Sequence, residues 1–155
     1  KIQMGKKTRI DLMKLVVDTN VLFTIFLNPR IINKFKDLYS RGIELVISEF
    51  VLNELYNLKN KAKKRGISEK EFNRLIEFLL SIFIVVRDEI YRPFLKEATK
   101  ISPHKKDAPL FALSLAFNKA PIWSREPKLK RQKVIEVLND KEVEERFIKN
   151  FTKGN

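Results

Sequence analysis

Leu15-Val16-Val17-Asp18-Thr19-Asn20-Val21-Leu22, read LVVDTNVL, sets one carboxylate between two apolar runs. Residues 14–17 have the short, β-branched character of a buried strand, and Val21, Leu22, Ile25 and Phe26 follow at helical spacing. The acid therefore stands where a strand ends and a helix begins. A lone charge there is costly unless it is paired, hydrated or bound to a metal. Capping the next helix through the Val21 amide is the plainest use open to it.

The alternation continues outward from this stretch. Residues 43–47 (IELVI) read as a second strand, and Ser48 then suits an N-cap with Glu49 in the first helical turn. Val51, Leu52, Leu55 and Leu58 give that helix its apolar stripe. Phe72, Leu75, Ile76, Leu79 and Leu80 keep helical spacing and run into a third strand over residues 82–86. A helix over residues 94–100 precedes His104-Lys105-Lys106-Asp107. Residues 108–117 are apolar nearly all round, so that helix is expected to be deeply buried, with Pro109 tolerated in its first turn. Ile122 and Trp123 mark a short fourth strand, residues 134–138 a fifth, and Val143, Phe147 and Phe151 a closing helix. Strands separated by helices predict a three-layer α/β/α fold, a parallel sheet covered on both faces. Ligand sites in such sheets lie beyond the carboxyl ends of the strands, where Asp18 falls.

The chain has 155 residues, enough for one domain with a real core. Residues 13–150 read as that domain, and residues 1–12 as an N-terminal extension or expression remnant. Its net charge is +13, with 32 basic against 19 acidic side chains. That surplus favours a polyanionic partner, nucleic acid first, although a lysine-rich surface of the thermophile kind also fits. Without cysteine there are no disulfides or thiolate metal sites, and a single histidine leaves too few for a His-rich zinc site. No apolar run nears the ~20 residues of a membrane span, and no signal-peptide core is visible. A cytoplasmic protein is expected.

Three further acids occupy positions that can converge on Asp18. Glu54 lies on the helix after the second strand, off its apolar stripe; Asp107 begins the buried helix; Glu126 follows the fourth strand in Ser124-Arg125-Glu126. Taken singly, each has an ordinary alternative: a cap for Asp107, an exposed helix position for Glu54, a turn for Glu126. Asp88 and Glu89 read as a solvated turn, and Asp140 with residues 142–145 as helix surface.

The segments VVDTNVLF, SEFVLNEL and DAPLFALSLAFNKAPIWSRE, in this order, resemble the PIN-domain family, VapC-type toxins included. The likeness spans about residues 13–140. It implies a five-stranded parallel sheet, often in a homodimer, and a metal-dependent endoribonuclease that leaves 5′-phosphate and 3′-hydroxyl ends. The family's acids carry over to Asp18, Glu54, Asp107 and Glu126, and its polar neighbours to Thr19, Asn20 and Ser124. Glu126, followed by Pro127, stands where the family usually has aspartate, which puts a second ion in doubt. The resemblance implies one or two Mg²⁺ or Mn²⁺ ions, which prefer such oxygen ligands. Asp18 and Asp107 would then be the principal ligands, Glu54 would ligate through water or orient the attacking water, and Glu126 would complete the outer site.

An acidic site for phosphate needs cations at its border. Lys105 and Lys106 precede Asp107, and Arg125 and Lys128 flank Glu126, which makes these four the expected substrate contacts. The run from Lys59 to Arg65 can extend a backbone track or be a solvated helix end. Phe23, Phe26, Tyr56 and Tyr91 are the stacking candidates. Four readings stay open at this point: an RNA-cutting toxin covered by an antitoxin protein, a housekeeping RNA-processing nuclease, a degenerate PIN module that binds RNA or protein without cutting, and a DNA-directed nuclease of related acidic architecture.

Overall fold

The structure is a computed structural model and describes residues 13–149. The expectations placed on residues 1–12, on Asn150 and on Phe151 lie outside it. Five strands form one sheet: β1 (Lys14–Val17), β2 (Glu44–Ser48), β3 (Phe83–Val86), β4 (Ile122–Trp123) and β5 (Val137–Leu138). Their spatial order is β3-β2-β1-β4-β5, and every pairing is parallel. The chain leaves β1 toward one edge, then returns across the sheet to place β4 on its other side. The carboxyl end of β1 is therefore the switch point at which such sheets open a crevice.

Alternation along the strands builds two cores. Leu15, Val17, Leu45, Ile47 and Trp123 pack on one face, while Val16, Val46, Ile122 and Val137 pack on the other. The second face is covered by α8 (Ala108–Ala116), buried at Ala108 and from Leu110 to Leu115, as its uniformly apolar sequence requires. The first is covered by α2 (Arg30–Ser40), α3 (Glu49–Asn57) and α5 (Glu69–Ile82), whose buried residues include Phe35, Leu55 and Phe72. The three-layer α/β/α architecture is present.

Several boundaries differ from expectation for local reasons. The segment after Asp18 is a single α turn, α1 (Thr19–Leu22), tightening into a 3-10 turn at Phe23–Phe26. The amphipathic α2 had no expected element, although Ile31, Phe35 and Leu38 keep the spacing that now buries them. The α5 helix continues through Ile82, so β3 begins one residue late. The fifth strand shrinks from residues 134–138 to Val137–Leu138 because the Gln132 side chain takes over the earlier backbone. Its Oε1 accepts from the Val134 and Ile135 amides, and its Nε2 donates to the Ile135 carbonyl. The smaller helices are α4 (Lys59–Lys64), α6 (Asp88–Tyr91), α7 (Leu95–Ile101) and α9 (Asp140–Val143), the last running into a π turn at Glu144–Lys149. Among the described residues no helix is long and apolar enough to cross a membrane.

Candidate nuclease site

The ladder between β1 and β4 explains where Asp18 sits. Val16 pairs with Ile122 and Val17 with Trp123, so one step on Asp18 comes alongside Ser124. The Ser124 hydroxyl donates to Asp18 Oδ2 at 2.8 Å, and the Thr19 amide donates to Oδ1 at 2.7 Å. The cap bond thus goes to the adjacent Thr19 amide rather than to Val21. Ser124 is buried, and its oxygen also accepts from the Glu126 amide at 3.0 Å and from Asn20 Nδ2 at 3.4 Å. With those donors supplied, the only hydrogen of the hydroxyl is directed at Asp18. Asn20 Oδ1 in turn accepts from the Arg125 amide at 3.2 Å, tying the loop after β4 to the start of α1.

Despite two donors, the Asp18 carboxyl is pushed above its ordinary value. Burial is the largest cause; Ser124 and Thr19 oppose it, and the charges of Asp107 and Glu54 add to it. Burial first, and the neighbouring carboxylates to a lesser degree, disfavour the charged form of Asp18, a cost that a cation beside it would offset.

Asp107 ends the short 3-10 turn Lys105–Asp107 and precedes α8, with no capping hydrogen bond from its side chain. Burial raises its carboxyl as well; Lys106 and His104 pull it back, and Glu126 pushes it up again. Glu54 comes from α3, where its Oε1 accepts from the Thr19 hydroxyl at 2.7 Å. Asp18, Asp107 and Glu54 line one cavity of about 400 Å³, together with Phe23, Phe50 and Lys61. A second cavity of about 400 Å³ shares Asp18 and Asp107, and His104, Glu126, Lys128 and Arg131 complete it. The two aspartates form the ridge between them, and Lys106 borders both.

The other expected residues divide. Glu126 lies on the second cavity, but its Oε1 accepts from the Lys128 amide at 3.2 Å and so caps its own loop. Lys106 and Lys128 border the cavities, whereas Lys105 lines neither. Arg125, expected to meet substrate, is held within the fold instead of standing free at the cavities. Its guanidinium makes a two-point contact with Asp140, at 3.1 and 2.8 Å, and also donates to the Thr24 hydroxyl. Asp140 also accepts from the Trp123 indole at 2.9 Å, so it is no free surface acid. Of the stacking candidates, Phe26 and Tyr91 are buried in the core. Phe50, which sequence reasoning passed over, is 47% exposed on the first cavity. Its signal was spacing: it precedes Glu54 by four residues on the same helix, outside the apolar stripe.

The family model of the PIN domain matches residues 16–142, the stretch carrying all four acids. This chain belongs to the PIN-domain family. The members of that family are generally nucleases, and typically use divalent metals. Two solved structures share the PIN fold seen here. VapBC2 from Rickettsia felis, crystallised bound to a DNA fragment from its promoter, superposes with a TM-score of 0.62 at 18% identity, covering 82% of this chain and 98% of that one. PAE2754 from Pyrobaculum aerophilum gives 0.60 at 15% identity, covering 88% and 90%. At these identities the likeness is one of fold. No protein of curated function matches the chain.

Proposed function

We propose that this PIN domain hydrolyses RNA phosphodiester bonds, using Mg²⁺ or Mn²⁺ held at Asp18 and Asp107. The observation that carries the reading is the convergence of Asp18, Asp107 and Glu54, from three separate elements, on one cavity bordered by lysines. Among the described residues no three His, Asp or Glu side chains form a ready-made metal cage. The proposal therefore rests on Asp18 and Asp107 with water completing the shell, as Mg²⁺ commonly takes one or two carboxylates and keeps several waters. When bound, the ion supplies charge neutralisation at the phosphate and a more acidic water.

The chain's own residues do the rest. Ser124 and Thr19 orient Asp18 through both its oxygens. Thr19 also holds Glu54 by Oε1, which leaves Oε2 to accept the proton of the attacking water. The water oxygen bonds to phosphorus, the bond to the 3′-oxygen breaks, and that oxygen takes up a proton from solvent. Lys106 and Lys128 offset the acids toward the incoming backbone. The fold shared with VapBC2 supports a toxin role with an antitoxin partner. A non-cutting RNA-binding module is the second reading, favoured by Glu126 turning back onto its own loop.

The test is incubation of the protein with a mixed structured and single-stranded RNA pool, in Mn²⁺ or in chelator, beside Asp18→Asn. Cutting that needs metal and is lost in the variant supports the nuclease. RNA binding without cutting by the wild type favours the second reading.

A further inference from the structure

The two cavities flanking the Asp18–Asp107 ridge differ in chemistry although they match in volume. The second is walled by charge: His104, Lys106, Glu126, Lys128 and Arg131. The first has an apolar wall of Phe23, Phe50, Leu58, Pro109 and Leu110, with Lys61 and Lys106 at its border. Three of its residues, Phe50, Glu54 and Leu58, follow at four-residue intervals along α3 and past its end, so the aromatic ring stands one turn from the proposed proton acceptor. A phenylalanine 47% exposed beside a carboxylate is badly placed for packing and well placed for a flat ligand. The neighbouring cations are available. Arg125, Lys130 and Arg146 are committed to ion pairs, whereas Lys61, Lys106, Lys128 and Arg131 form none among the described residues.

Resting on the RNA-cleaving reading above, we infer that the apolar cavity is a nucleobase subsite. It takes one unpaired base of a single-stranded substrate, next to the scissile phosphate, stacked against Phe50, while the sugar-phosphate backbone crosses the ridge into the Lys128–Arg131 cavity. A π-face is common to all four bases, so this site selects unpaired over paired RNA and not one base over another. A duplex cannot supply a base without unstacking it, and the enzyme is confined to loops and open strands.

The test is equilibrium binding in chelator, with a short single-stranded RNA and with the same sequence annealed to its complement. Wild type, Phe50→Ala, Phe50→Trp and Lys128→Ala are compared across salt concentrations. Phe50→Ala weakens single-strand binding by about fivefold or more and leaves duplex binding and the salt slope unchanged, since no phosphate contact is lost. Phe50→Trp keeps the affinity and its new indole, unlike the buried Trp123, is quenched by the single strand. Lys128→Ala does the reverse, flattening the salt slope for both RNAs. Unchanged single-strand affinity in Phe50→Ala, or equal losses for both RNAs, overturns the subsite, as does a Phe50→Ala defect seen only in binding a protein partner. Wild type that binds neither RNA overturns the RNA-cleaving reading itself, and the subsite with it.

Discussion

The end of β1 and the start of α8 each bring one aspartate to the same cleft, and the fold treats them differently. At the β1 end, strand register fixes Asp18 beside Ser124, and both carboxylate oxygens receive a hydrogen bond. At the α8 start, Asp107 follows a three-residue 3-10 turn and no capping bond holds its side chain. Burial raises both carboxyls. One acid is thus anchored by the sheet, while the side chain of the other makes no capping hydrogen bond, and in the proposed site it is the more open of the two.

Breaking the anchor gives the largest effect. Asp18→Asn keeps the shape and removes the charge, and is expected to lower cleavage by about 10³-fold, at the upper end for one electrostatic group. Removing a buried charge favours the variant, but an amide accepts through one oxygen only and leaves either the Ser124 hydroxyl or the Thr19 amide without its acceptor, so the thermal midpoint without metal changes little. Thermal melts beside the cleavage assay check both, and a large loss of stability would mean that Asp18 serves the fold more than the site.

Ser124→Ala sharpens the comparison, since it leaves Asp18 charged but loses the donor on Oδ2. Loss of such a supporting contact costs about 10–100-fold in metal affinity or activity. Metal dependence of the cleavage rate checks it, and the curve moves to higher metal concentration.

One step further out, Arg125 and Trp123 grip Asp140 and hold the loop that carries Ser124. Burial pushes the Asp140 carboxyl up, but the hydrogen bonds from Arg125 and Trp123 outweigh it and hold it below the ordinary 3.8. With the native value lowered, the stability from this pairing is whole above the unfolded value and is lost as pH falls through the native one. Asp140→Asn is expected to destabilise the protein by about 1 kcal/mol at most at neutral pH, because the pair is partly exposed. The gap between the two thermal midpoints then narrows as pH falls below 3.8.

Glu126→Gln gives the smallest change, a few-fold in rate at about neutral pH, because an amide oxygen can still accept from the Lys128 amide. A loss as large as that of Asp18→Asn would promote Glu126 to a metal ligand and end the asymmetry described here.

Much of this was legible in the residues themselves. LVVDTNVL showed a buried strand followed by a polar turn, and parallel topology sends such a strand end to the ligand crevice. The uniformly apolar run after Asp107 could only be a buried helix, which placed that acid at its start. Partner choice was not legible. Nothing local to Arg125 distinguishes a phosphate from Asp140, fifteen residues on, because that contact exists only once β4 and β5 lie side by side. The early end of β5 was hidden for the same reason: Val134 and Ile135 have strand composition, and one glutamine side chain claims their backbone. Phe50 looked like one more apolar residue until the cavity beside it was visible.

Calorimetric titration of Mn²⁺ into wild type and into Asp18→Asn/Asp107→Asn tests the central claim most directly. The account predicts a saturable site in the wild type that disappears in the variant while the variant's fold, followed by circular dichroism, is intact. Equal Mn²⁺ binding by both proteins would contradict it, and would move the metal, and with it the chemistry, away from these two aspartates.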